Sequence, residues 1–219
     1  MTVAQFITFK DKKVKTFLTV RGVHVPQAAI LEEGYDVKIR DENAFTIRAN
    51  VSAEKIDPLF RSSATRLLEP VFFVLESPSN QVREFELRKK PTDPFHRDVY
   101  FMDGPDLNKL LKIYEKFQEL LVHDGGINFG IKSHKTKDEV FVSAYKIFHF
   151  FGQLPNQFEN TLAEFGIPQK ERLVTAWDTF TKDAPGQKSR IEINGEDVYG
   201  MLEELIRRHG LFHAKTIVG

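Results

Sequence analysis

Cysteine is absent from the 219 residues. That excludes a disulfide scaffold, thiolate zinc sites, iron–sulfur clusters and a cysteine nucleophile. Excess charge of either sign is also lacking, because 31 Lys and Arg balance 31 Asp and Glu. A protein that grips phosphates normally carries a basic excess on the gripping domain, so nucleic acid is disfavoured as a partner. The longest purely apolar run, Val71 to Leu75, is far too short to span a bilayer, and no membrane partner is expected. The N-terminal stretch Met1 to Lys15 has neither the apolar core nor the small-residue cleavage site of a signal peptide. The expectation is a soluble, cytoplasmic protein.

Catalytic and nucleotide-binding motifs are missing as well. There is no G-x-x-x-x-G-K-[ST], no G-x-G-x-x-G and no G-x-S-x-G. His24, His96, His134 and His213 show no metal-ligand spacing. Neither a cofactor nor a metal is implied, and nothing points to a particular small molecule.

What the chain has is a core: 41% hydrophobic residues, including 20 phenylalanines. That is enough to fold without staples. Alternation predicts a hairpin over Val3–Phe9 and Val14–Val20, then strands at "YDVKIR", "AFTIRANV", "VFFVLES", "VREFELRKK" and "RDVYFMD". Ser52 is placed to cap a short helix containing Pro58. The clearest helix signal starts at Asp103 and repeats through Leu107, Leu110, Leu111, Tyr114, Phe117 and Leu121, with Gly125 and Gly126 as its end. Strands are expected at "INFGIK", "DEVFVSAY" and "YKIFHFF". Helices follow over 155–165, 168–180 and 196–209, with a short strand "IEI" before the last. The fold class is therefore α+β, a mixed or mostly antiparallel sheet with one long packed helix and a helical C-terminal third. Residues 1–154 form the sheet domain, and 155–219 a mainly helical segment packed on it.

The stretch "HDGGINFG" most resembles a site. His123 suits the negative end of a helix, and Gly125 and Gly126 suit its termination. Gly126, Asn128 and Gly130 share one strand face, which implies a close approach by a packed helix or a ligand. His123, Asp124 and Asn128 are accordingly the ligand-binding candidates, and they define the enzyme reading, a hydrolase-like site assembled from separated segments. The other candidate surface is the proline-stiffened basic loop with Arg88, Lys89, Lys90, Phe95 and Arg97. Trp177, the only tryptophan, is a further anchor candidate. His149 and His209 read as hydrogen-bonded core histidines. The leading expectation is a non-catalytic protein-interaction or accessory, immunity-type module whose partner is another protein or a second copy of itself.

Overall fold

The computed structural model describes residues 17–41 and 44–219. The first predicted hairpin falls outside them except for 17–20, which are not in a strand. Among the described residues, one eight-stranded antiparallel sheet of order β10-β5-β4-β6-β7-β8-β3-β2 is accompanied by five α-helices. The strands are β2 (Gly34–Asp41), β3 (Ala44–Asn50), β4 (Val71–Pro78), β5 (His96–Asp103), β6 (Asn128–Ser133), β7 (Glu139–Val142), β8 (Phe148–Gly152) and β10 (Phe212–Val218). A separate two-stranded ladder pairs β1 (Val23–His24) with β9 (Gln187–Lys188).

Register explains the core. Phe73, Ile131, Val140, Phe150 and Ile47 lie opposite one another in a row across five strands. Leu75, Phe129, Val142, Phe148 and Ala49 form the next row on the same face. All ten are at most 3% exposed. Complete burial is worth about 1.5–3 kcal/mol for each of them except Ala49, relative to exposure. Helix α1 (Ala53–Ala64) sets Phe60 4.9 Å from Phe129, centroid to centroid, and α3 (Leu107–His123) sets Tyr114 5.9 Å from it. From α4 (Asn156–Glu164), Phe158 lies 5.0 Å from Phe150, while Leu205 of α5 (Val198–His209) lines a small apolar recess together with Phe73, Met102 and Leu110.

The other face carries Val74, Gly130, Phe141, His149 and Arg48 in one row. Two ion pairs lie on it, Arg48 with Asp36 and Lys132 with Glu139. The close approach expected at Gly130 is made by the neighbouring strand: a Cβ there would lie 2.6 Å from a ring carbon of Phe141.

Several local expectations are corrected. "VREFELRKK" is not a strand. Residues Gln81–Leu87 form helix α2, nucleated by the Asn80 side chain accepting from the Arg83 N–H at 2.9 Å. Helix α3 is capped by Asp106 rather than Asp103, and it ends at Asp124 in extended conformation, φ −71°, without a left-handed glycine. The helix expected over 168–180 is reduced to a 3₁₀ turn at Ala176–Thr179. Thr175 and Asp178 hydrogen-bond reciprocally, opening a new turn that a continuous helix cannot contain. "IEI" is not a strand; an isolated bridge joins Ile193 and Glu196. The last third thus combines two α-helices with irregular chain and with β10, which pairs with β5 at one edge of the sheet. At the opposite edge, Tyr35 of β2 exchanges backbone hydrogen bonds with Pro168 (3.0 Å) and Lys170 (2.7 Å).

Candidate functional site

The "HDGGINFG" stretch lies where three segments are sewn together. Gly22 donates to the carbonyl of His123 at 2.8 Å, Gly125 to Ser189 at 3.0 Å, and Ser189 to Gly22 at 2.9 Å. The backbones are so close that a Cβ on Gly125 would lie 1.9 Å from the Gly22 carbonyl oxygen. Glycine is required there for proximity, not for helix termination. Asp124, 1% exposed, spends both carboxylate oxygens on backbone: Oδ1 accepts from Gly126 N–H at 2.8 Å and Oδ2 from Ile191 N–H at 3.1 Å.

The three sequence candidates take separate partners. His123 Nδ1 faces the Arg21 N–H at 3.4 Å, and burial, then the Arg21 charge, lowers its pKa. Asn128 points to the helix-free face of the sheet and donates to Glu76 at 2.8 Å. None of the three hydrogen-bonds to another among the described residues. The surface recesses of 200–300 Å³ are lined by other residues.

The residue that sequence reasoning missed is Lys146. Its side chain reaches the same knot, and the residue is only 4% exposed. The ammonium donates to the carbonyls of Leu121 (2.9 Å) and Ile127 (2.8 Å) and sits 5.6 Å from the Phe129 ring centroid. The Leu121 carbonyl belongs to the last turn of α3, so the lysine also neutralises the negative end of that helix. Burial pushes its pKa down to about 7. Asp124 opposes the shift, while Arg97 and Lys188 add to it. Tyr145 and Lys146 both have positive φ, 58° and 59°, a conformation held only because the surroundings over-determine it. A charged residue interrupting "SAYKIFHF" was the available signal.

Arg97 belongs with this buried network and not with the exposed basic loop. Its side chain donates to the carbonyls of Gly126 (2.7 Å) and Glu76 (3.1 Å) and is 11% exposed. Burial, partly offset by Glu76, lowers its pKa.

The rest of the basic loop behaves differently. Helix α2 contains no buried residue, yet Val82 is 70% exposed, Phe85 87% and Leu87 42%, with Phe95 beyond it at 64%. Polar ties hold α2 in place. Arg83 pairs with Asp98 at 3.0 Å, and Glu84 accepts from the His96 backbone at 2.6 Å. The Arg88 guanidinium lies 4.0 Å over the Phe95 ring. Asp93 accepts from the backbone N–H groups of Lys89 and Lys90, 2.8 Å each, which lowers its pKa. Glu84, Phe85, Arg88, Lys89, Lys90 and Pro91 line an open recess of about 300 Å³.

Trp177, 56% exposed, stands edge-on to Tyr145 at 4.8 Å and Phe180 at 5.5 Å. His149 bonds Ser143 at 2.9 Å and stacks on Phe151. Burial, helped by Arg48 and Arg40, pushes its pKa down to about 4. His209 lies 4.0 Å from Glu204. Among the described residues, no cluster of three or more His, Asp or Glu side chains could hold a metal ion, and no helix is long and apolar enough to cross a membrane. No family model matches the chain, nor does any curated protein or solved structure.

Proposed function

We propose that this is a non-catalytic protein-interaction module, of the accessory or immunity kind, whose contact surface is α2 and the loop into β5. The observation that carries the reading is a helix that buries none of its residues and exposes Val82 and Phe85 one turn apart, with Leu87 and, in the following loop, Phe95 exposed as well. Exposed apolar side chains rimmed by charge are a mark of interaction sites, and aromatics are favoured anchors. Arg88, Lys89 and Lys90 frame the patch, and the one carboxylate inside the loop, Asp93, is engaged by backbone N–H groups. The partner this chemistry fits is a protein segment with acidic residues flanking an apolar anchor. The enzyme reading draws less support, because both oxygens of Asp124 are occupied within the fold, and Asn128 gives its N–H to Glu76 and leaves only its buried Oδ1 without a partner among the described residues.

Affinity capture from the native host, run in parallel with wild type and with Phe85→Asp, tests the proposal. A protein retained by wild type, lost with Phe85→Asp and retained by His123→Ala supports it. Retention by Phe85→Asp overturns it.

A further inference from the structure

Helix α2 leads to a second feature of the same corner. Strand β10 closes the sheet beside β5, its residues Phe212 to Lys215 are exposed, and no strand pairs with its outer edge among the described residues. A free edge offers a row of backbone donors and acceptors to any extended chain. It also adjoins the proposed contact surface. Arg83 of α2 reaches Thr216 at 3.2 Å and His213 at 2.8 Å, and Gly219 donates to the carbonyl of Phe95 at 2.7 Å.

The charge of β10 and the end of α5 that leads into it is one-sided in a chain that is balanced overall, although His213 stands 3.3 Å from the Asp98 carboxylate of β5. Residues 207–219 include Arg207, Arg208 and Lys215 with His209 and His213, and contain no Asp or Glu. The nearest carboxylates on α5, Glu203 and Glu204, stand 4.0 Å from Arg207 and 3.8 Å from Arg208; the first pair is exposed, and Glu204, 18% exposed, is shared with Lys116 at 2.5 Å. The exposed Glu203–Arg207 pair contributes little. The register of β10 also slips between His213 and Lys215, a bulge of the kind that discourages indiscriminate edge pairing.

From these observations we infer that β10 accepts an extended, acidic segment of a partner protein as an added strand. The inference rests on the α2–β5 surface being the contact site, and it names the binding mode and the chemistry of the segment. Main-chain bonds along β10 supply the affinity, and acidic side chains facing Lys215 supply the selectivity. A second copy is the poorer occupant, because two β10 edges laid together bring these cations against one another.

The test is selection of binders from a random dodecapeptide library displayed on phage, using the full chain as bait. The most enriched peptide is then synthesised with backbone N-methyl groups on one or the other set of alternate residues. The expected result is enrichment of Asp and Glu alternating with apolar residues. One methylated set should abolish binding while the other is tolerated, and Lys215→Glu should weaken binding about tenfold. Tolerance of both methylated sets, enrichment of uncharged or basic sequences, or no enrichment overturns strand addition. So does a dimer in sedimentation that the selected peptide dissociates, which assigns the edge to a second copy. If the methylation pattern holds but Phe85→Asp has no effect on binding, the edge assignment stands and the α2 reading fails.

Discussion

The knot around Asp124 and the helix α2 lie toward the same end of the sheet and are built in opposite ways. In the knot, three segments meet with glycine against glycine, a buried carboxylate saturates two backbone N–H groups, and a buried lysine closes two carbonyls. Helix α2 buries no side chain and is tied down by a cap and two charged contacts. Polar groups that are fully spent inside a fold have no capacity left for a ligand, whereas apolar groups left outside have surface to offer. Unusual residues clustered in sequence therefore mark a structural joint here, and the ordinary-looking helix carries the proposed contact surface.

Substitutions at the joint should produce the largest effects. Gly125→Ala forces a methyl into the Gly22 carbonyl and should destabilise the fold by about 3 kcal/mol or more in urea denaturation. Asp124→Ala strands two buried N–H groups, with an expected loss of about 2–3 kcal/mol by the same measurement. A change below about 0.5 kcal/mol in either would dissolve the contrast.

Lys146 gives the comparison a pH signature. Its pKa is about 7 in the fold against 10.5 for the free side chain, so between those values the unfolded chain holds a proton that the folded chain has released. Stability must then rise with pH across that window, and the burial penalty is greatest below pH 7. Urea midpoints of wild type should climb from pH 7 to pH 9 relative to those of Lys146→Met, and parallel midpoints would show that the lysine is not the source. The smallest effect on stability belongs to α2. Phe85→Asp should move the unfolding free energy by less than about 0.5 kcal/mol, because the ring is already in water.

Much of the sheet was legible because its buried faces obey the strand period: Phe129 and Ile131, Val140 and Val142, and Phe148 and Phe150 alternate as a half-buried strand requires. Helix α2 was misread because Phe85 and Leu87 also sit at strand spacing, and neither is buried to reveal its period. The Thr175–Asp178 box defeated the helix expected over 168–180, since apolar spacing does not register where a new cap begins. The glycines of the joint were visible as anomalies, but their partners Gly22 and Ser189 lie far away in sequence, and no local pattern joins them. Lys146 was missed for the same reason: only the tertiary fold delivers two carbonyls to its ammonium.

Amide hydrogen exchange on the free protein tests the contrast most directly. The account predicts that the N–H groups of Gly22, Gly125 and Ser189 exchange only through global unfolding, as slowly as those in the centre of β6. The amides of α2 should exchange through local opening at far lower free energy. Fast exchange at Gly125 and Ser189 with slow exchange in α2 would contradict it.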